Sequence, residues 1–339
     1  MQSPTNTDIP ASNPQVKVPA FRPIADQLSK VRNLINQQLT SHVKAGDING
    51  LLEQISRRSG KMIRPGLVLL AGRCYGKITD KHISVAAIIE MIHNATLLHD
   101  DVIDEGQKRR GLPTINSLCG NESAVLLGDL ILSRVFKMCA QLESRVTDVI
   151  ATAAVRLCEG ELRQVVQKHY WQLNEAEYID VITEKSAVLF SSSCFLGGHL
   201  AGASESQARS LGDFGLNAGI AFQITDDLLD IVGNESKTGK TLGSDVDKHK
   251  LTLALIHLLK TANEKEKKNI ISSFLDRKDS QYDKHALVEI LNQHGSLEYA
   301  RSRAREFVTT AKQALAGLKQ NDYKEALIET AEFMVSRVS

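Results

Sequence analysis

Proline is confined to one end of this chain. Of its seven prolines five, Pro4, Pro10, Pro14, Pro19 and Pro23, fall in the opening segment, and after Pro65 and Pro113 none occurs from Thr114 to Ser339. Proline inside a helix removes a hydrogen bond and clashes with the preceding turn. A long stretch without it therefore admits continuous helices. The hydrophobic pattern supplies them. "ISVAAIIEMIHNATLLHDDVID", "ESAVLLGDLILSRVFKMCAQL" and "LGDFGLNAGIAFQITDDLLDIV" place apolar residues at helical spacing, without the alternation of a strand. No Asn-Gly pair joins β-type runs, and no short-period repeat organises the chain. The expectation is one all-helical domain over residues 21–339, a bundle of long helices, preceded by a flexible tail over residues 1–20. The polar, glycine-containing "SKTGKTLGSDVDKHK", Ser236 to Lys250, is expected to be a loop between helices.

Charge and cysteine content remove several function classes. With 41 basic and 40 acidic side chains the net charge is +1, which lacks the basic footprint of a nucleic-acid binder. The five cysteines, Cys74, Cys119, Cys139, Cys158 and Cys194, form no C-x-x-C pair, so neither a zinc ribbon nor a disulfide framework is expected. No apolar run approaches the roughly 18 residues of a spanning helix. The opening segment has neither the charged start and apolar stretch of a secretory signal nor the arginine-rich character of a transit peptide. The cytoplasm is the expected location.

Charge of both signs concentrates at "LLHDDVIDEGQKRRG", Leu97 to Gly111, directly after an apolar run. Asp100 and Asp104 are four apart and share a helix face, whereas Asp101 points about 100° away. Like charges at this spacing destabilise an isolated helix. A solvated surface accounts for one such motif. Here the D-D-x-x-D spacing recurs in "QITDDLLDIV" as Asp226, Asp227 and Asp230, again at the end of an apolar helical run. Two such faces opposed across a bundle would suit Mg²⁺, a hard cation that takes carboxylate, water and phosphate oxygens. Neither segment has the ligand ladder of an EF-hand.

Basic residues accompany both motifs. Arg109 and Arg110 follow the first, beside a turn at Gly111 and Pro113. Lys61 and Arg64 stand in "SGKMIRPG", and Lys185, Lys240 and Lys250 come later. Arginine recognises phosphate through paired hydrogen bonds and lysine acts as a point charge. Two acidic metal sites with these cations point to two anionic substrates, one held through metal and the other by cations alone.

These elements, "GKMIRP", "IHNATLLHDDVIDEGQKRRGLPTIN", "LLGD", "EKSAVLF", "AFQITDDLLDIVG" and "TGKTLGSDVDKHKLTL", resemble in content and order those of the all-trans polyprenyl diphosphate synthases, class I isoprenoid synthases of the long-chain type. The resemblance covers the chain from about residue 25 onward. It implies a helical bundle around a deep central cavity, usually a homodimer, that condenses isopentenyl diphosphate head to tail with an allylic diphosphate. It implies that Asp100, Asp104, Asp226 and Asp230 ligate a Mg²⁺ cluster, with Asp101 and Asp227 in support. Arg109, Lys185, Ser186, Gln223, Lys240 and Lys250 would meet the allylic diphosphate or its metals. Lys61, Arg64, His93 and Arg110 would hold isopentenyl diphosphate. Asp100, Asp104, Asp226, Lys185 and Lys240 are the residues expected to carry catalysis. Ser59 stands where the family's first loop often has a second glycine.

The chemistry implied needs no protein nucleophile. Metal and cations stabilise a departing diphosphate, the allylic cation is attacked by the second substrate's double bond, and water is kept out. The resemblance further implies that residues just upstream of the first motif line the cavity wall, here Thr96 and Ala95, four and five positions before Asp100 and about 6–7.5 Å further along the helix axis. Both are small where short-chain members of the family often carry an aromatic, which favours a long-chain product of the kind used for quinone side chains. Phe136 is a candidate for a deeper floor. Geranylgeranyl or farnesyl diphosphate is the shorter alternative. A terpene cyclase would carry a different second metal motif and would not need Lys61, Arg64 and Arg110. A regulatory subunit would lose charged residues from the motifs, and both motifs are intact. A catalytic subunit of a heteromeric synthase stays open, as does peripheral membrane contact for release of a lipid product.

Overall fold

The computed structural model describes residues 18–40, 60–109, 111–167, 170–233, 244–276 and 283–338. A short 3₁₀ turn, Pro19–Ile24, leads into α1 (Ala25–Thr40). Then come α2 (Ile63–Arg73), α3 (Asp80–Ile103), α4 (Ile115–Cys139), α5 (Ser144–Val166) and α6 (Glu175–Ile182), the last continued by a wide π turn, Thr183–Ala187. The order proceeds with α7 (Val188–Leu200), α8 (Glu205–Val232), the single turn α9 (Ser244–Asp247), α10 (Leu253–Thr261) and α11 (Glu264–Ile270). A π turn at Ile271–Leu275 follows, then α12 (Lys284–Gln293), α13 (Ser296–Ala314), α14 (Asp322–Val335) and a closing 3₁₀ turn at Ser336–Val338. The all-helical expectation holds, with one small addition. Among the described residues the only strands are β1 (Lys108–Arg109) and β2 (Leu112–Pro113), a two-rung antiparallel hairpin around Gly111. Gly111 has φ +77°, a backbone that glycine adopts without steric cost.

Local chemistry sets the helix starts. Ser204 with Gln207, Asn174 with Glu177 and Asn263 with Glu266 form reciprocal capping boxes at the N-termini of α8, α6 and α11. Each satisfies two otherwise orphaned N–H groups. In α4 the regular pattern breaks at Gly120, whose φ of +84° and ψ of +161° kink the helix one turn in.

The middle of the bundle is apolar on every side. From Ile63 to Gly72 every residue of α2 is buried, as a helix without a polar face must be. Helix α7 packs between α2 and α8, and the contact depends on missing side chains. A Cβ on Gly197 would stand 2.2 Å from the Val68 carbonyl oxygen, and one on Gly215 would stand 2.4 Å from that of Phe190. Residues 18–20, within the span expected as tail, are part of this packing: Val18 and Ala20 are buried, and Phe21 fills the space over Gly66. Val18, Ala20, Phe21 and Ile24, all buried, anchor the turn that precedes α1. No helix among the described residues is long and apolar enough to cross a membrane.

Gly215→Ala should therefore destabilise by about 1–3 kcal/mol, because the clash is with backbone. Gly212→Ala, in the same helix but with its nearest neighbour, Ser191 Oγ, at 3.4 Å, should hold or raise stability. Thermal melts of the two variants check this, and equal melting temperatures would contradict the close approach of α7 and α8.

Candidate active site

The two acidic motifs end two long helices. Asp100 lies in the last turn of α3, and Asp104 closes that helix with its N–H donating to the Asp100 carbonyl at 2.8 Å. Asp226, Asp227 and Asp230 occupy the last two turns of α8. One short segment ties these ends together. The backbone N–H of Asp245 donates to Asp230 Oδ2 at 2.9 Å, and Lys250 Nζ reaches both Asp104 oxygens at 3.0 and 2.8 Å. Lys248 Nζ lies 3.6 Å from the same carboxylate. The span from Ser244 to Lys250 thus touches both motifs, and the part of the expected loop that is described contains the helical turn α9.

Charge compensation at these carboxylates is uneven. Burial would raise Asp104, but Lys250 and Lys248 outweigh it and hold the group below the ordinary carboxylate range. At Asp100 burial prevails: although Lys185 opposes it, Glu161 reinforces it, and the group is raised to about 6. Lys185 itself is pulled down by burial and pushed up more strongly by Glu161 and Asp100, so it stays charged. Its Nζ sits 2.8 Å from Glu161 and 2.9 Å from Gln164 Oε1, both on α5. Two features of the backbone make this possible. The π turn carries Lys185, a geometry frequent at functional sites. Gly160 lets α5 approach it, since a Cβ there would stand 2.5 Å from the Lys185 nitrogen.

Ser186 and Gln223 are joined to each other. Ser186 Oγ donates to Gln223 Oε1 at 2.7 Å, and Gln223 Nε2 donates to Asp227 Oδ1 at 2.8 Å. Tyr178, fully enclosed on α6, donates to Asp227 Oδ2 at 2.6 Å. Both Asp227 oxygens are therefore committed to protein donors. Burial, reinforced by Asp245, raises this carboxyl to about 7 against those two hydrogen bonds. Asp227 supports the motif from behind. Tyr178 had no signal in the sequence beyond being one apolar position of a short helix.

Arg109, at the hairpin, places Nε at 2.8 Å and Nη2 at 2.7 Å from Asp101 Oδ1. Asn116 holds the hairpin's base, its Nδ2 donating to the carbonyls of Asp101 at 3.0 Å and Gly106 at 3.1 Å. Lys61 and Arg64 lie against aromatic rings. Lys61 Nζ is 5.0 Å from the Phe333 centroid and the Arg64 guanidinium is 4.4 Å from that of Phe190. A third cation joins them from the end of the chain. Arg337 stacks 4.7 Å from the Phe222 ring and donates from Nη2 to Asp226 Oδ1 at 2.7 Å. Phe190 and Phe222 are themselves 5.3 Å apart. Arginine over aromatic faces keeps its charge while its apolar side is covered. Arg337 was not anticipated: it is a single cation near the C-terminus, outside any motif.

His93 and Thr96 are half-buried on α3, with the Thr96 hydroxyl donating to the His93 carbonyl at 2.9 Å, and Ala95 is fully buried. Phe136, the candidate floor, is 70% exposed on α4 in the single chain. Apolar spacing alone could not separate an inward face from an outward one. Arg110 and Lys240 lie outside the described residues.

The donor set fits a divalent cation. Among the described residues no three His, Cys, Asp or Glu side chains converge closely enough to enclose an ion. Magnesium is ordinarily held by one or two carboxylates with phosphate oxygens and water completing the shell. Asp100 is a half-buried carboxylate, and Asp104, Asp226 and Asp230 are held by Lys250, Arg337 and the Asp245 N–H.

The polyprenyl synthetase family model matches residues 47–291. The chain is 37% identical over 314 residues to the octaprenyl diphosphate synthase of Escherichia coli strain K12, covering 92% of this chain and 96% of that protein. Two solved structures are similar throughout. A decaprenyl diphosphate synthase from Rhodobacter capsulatus has a TM-score of 0.86 at 35% identity, with 94% of this chain and 98% of that one covered. A polyprenyl synthase from Caulobacter crescentus, complexed with calcium and isoprenyl diphosphate, has a TM-score of 0.90 at 32% identity, with 97% and 100% covered.

Removing the donor behind Asp227 should be felt directly. Tyr178→Phe leaves a buried acceptor unsatisfied, at a cost of about 1–3 kcal/mol. Thermal denaturation of this variant is expected to show the loss, and an unchanged midpoint would contradict the enclosed hydrogen bond.

Proposed function

The chain belongs to the polyprenyl synthetase family, and from that premise we propose that its two acidic motifs act as one metal-dependent site. The protein is a prenyltransferase. It condenses isopentenyl diphosphate with an allylic diphosphate, releases diphosphate and builds a long-chain all-trans polyprenyl diphosphate. The observation that carries the single-site reading is the segment from Ser244 to Lys250, which holds Asp230 and Asp104 at once.

The residues take the following roles. Asp100, Asp104, Asp226 and Asp230 would hold Mg²⁺, which when bound would neutralise the allylic diphosphate and make it a leaving group. Lys185 and Lys250 stand beside these carboxylates and present fixed positive charge where the diphosphate's charge develops. Arg109 would act with them, and the same role is proposed for Lys240 from its motif. Such preorganised cations act in the transition state without reorganising. Ser186 and Gln223 fix the face of α8 that carries the second motif. Lys61, Arg64, His93 and Arg110 would bind isopentenyl diphosphate, with Arg337 beside them. Arg337 would have to release Asp226 before that carboxylate could ligate a cation. The apolar faces of α3, α7 and α8 keep water from an allylic cation.

The functional unit is proposed to be a homodimer. Leu126 and Phe136 on α4 and Leu162 and Val166 on α5 are large apolar side chains left exposed. Docking of a second copy would cover these side chains. The protein is proposed to work in the cytoplasm and to pass its lipid product to a membrane surface.

Purified chain with Mg²⁺, labelled isopentenyl diphosphate and farnesyl diphosphate should yield a ladder of prenyl alcohols ending at one long product after hydrolysis. No incorporation with farnesyl, geranylgeranyl or dimethylallyl primers would overturn the reading of this chain as a self-sufficient enzyme. Asp100→Ala and Asp226→Ala should each lower turnover at least about a hundredfold, with helical circular dichroism retained. Thr96→Phe should shorten the product. In sedimentation the wild-type chain should run as a dimer and the Leu126→Glu, Phe136→Glu double variant as a monomer. A monomeric wild type would remove the dimer.

A further inference from the structure

Lys248 and Lys250 both address Asp104, yet they flank His249 just after the helical turn α9, and had the helix continued through them they would point about 200° apart. The turn that directs both to Asp104 is built around His249. Its N–H donates to the Val246 carbonyl at 3.0 Å, and the Lys250 N–H donates to the Asp245 carbonyl at 2.8 Å. This paired closure is a Schellman motif, which places its C′ residue in the left-handed region. His249 occupies that position with φ +59°. Glycine is the residue that enters this conformation freely, and histidine does so against its steric preference.

The side chain compensates for that preference. His249 Nδ1 lies 2.6 Å from the carbonyl oxygen of Leu275, which is fully buried at the end of the second π turn. A carbonyl only accepts, so Nδ1 carries the proton of this bond. On another side the imidazole meets Trp171, the only tryptophan of the chain, edge to face with centroids 6.1 Å apart and planes at 70°. The ring is thus fixed from two separate parts of the fold, the end of the α11 segment and the link between α5 and α6. The backbone it fixes continues directly into the two lysines.

We propose that His249 is a positioning residue: its anchorage to Leu275 and Trp171 holds Lys248 and Lys250 at the first acidic motif, where they form the cationic wall of the allylic diphosphate subsite. This rests on the reading of the site as one that binds a metal-complexed diphosphate. It assigns to His249 neither contact with substrate nor proton transfer.

Two variants separate the anchor from the turn. His249→Gly keeps the left-handed turn and deletes the anchor. His249→Asn keeps the turn and restores a donor toward Leu275, since asparagine also tolerates this conformation. Calorimetry with inorganic pyrophosphate and Mg²⁺ on the full chain is the first measurement, with Trp171 emission reporting whether the ring contact is lost. His249→Gly is expected to weaken pyrophosphate binding roughly three- to tenfold, the range for one hydrogen bond. The KM for farnesyl diphosphate should rise by the same factor while that for isopentenyl diphosphate stays within about twofold. His249→Asn should recover most of the loss. Unchanged pyrophosphate affinity in His249→Gly would overturn the proposal. So would an equal rise in both KM values, or an asparagine variant no better than glycine. The pyrophosphate measurement decides the matter whether or not the wild-type chain transfers prenyl groups, so the failure of either reading is recognisable on its own.

Discussion

The site depends on carboxylates carried into a helix bundle together with barely enough cations to hold them there. Two like charges one turn apart are unfavourable in a helix, and removing them from water increases the cost. The chain answers by bringing a different cation or donor to each: Lys250 and Lys248 to Asp104, Arg337 to Asp226, Arg109 to Asp101, and the Asp245 N–H to Asp230. Asp100 is the exception, raised because burial and Glu161 exceed what Lys185 offers. A divalent cation bound beside Asp100 would offset that burial. Apart from Arg109, which follows α3 closely, these cations come from distant parts of the sequence.

Geometry follows from the packing of α7 against its neighbours. Glycines at 197 and 215 let α7 lie close to α2 and α8. Phe190 on α7 then supports Arg64 on one side and touches Phe222 on the other, and Phe222 carries Arg337. The apolar core and the cationic face are therefore one construction. Likewise the π turn at Thr183–Ala187 and the bare surface of Gly160 place Lys185 between Glu161 and the first motif. Rigid elements rather than side-chain freedom set these positions, which suits chemistry that must present fixed charge to a leaving group.

Much of this was legible in the sequence. The helices announced themselves through apolar spacing in a proline-free chain. The acidic motifs stood out because they repeat. Several features were not legible, for physical reasons. A hairpin of two residues per strand, Lys108–Arg109 with Leu112–Pro113, leaves no alternation to detect. Val18 and Ala20 are too few to give a period, yet they pack. Phe136 lies on an apolar outer face of α4, which spacing cannot distinguish from an inner one. Arg337, Glu161 and Tyr178 matter only through partners brought in by the fold. His249 was hidden inside a polar stretch whose composition signals a loop, and only the sign of its φ and the carbonyl it binds distinguish it.

The central claim is that the ends of α3 and α8 form one site rather than two independent ones. Calorimetric binding of Mg²⁺ with inorganic pyrophosphate to the wild type, to Asp100→Asn, to Asp226→Asn and to the double variant tests it most directly. If the motifs act as a unit, each single change removes most of the binding and the double change costs little more, as for groups sharing one network. Losses that simply add, with one motif still binding pyrophosphate normally when the other is altered, would contradict the account.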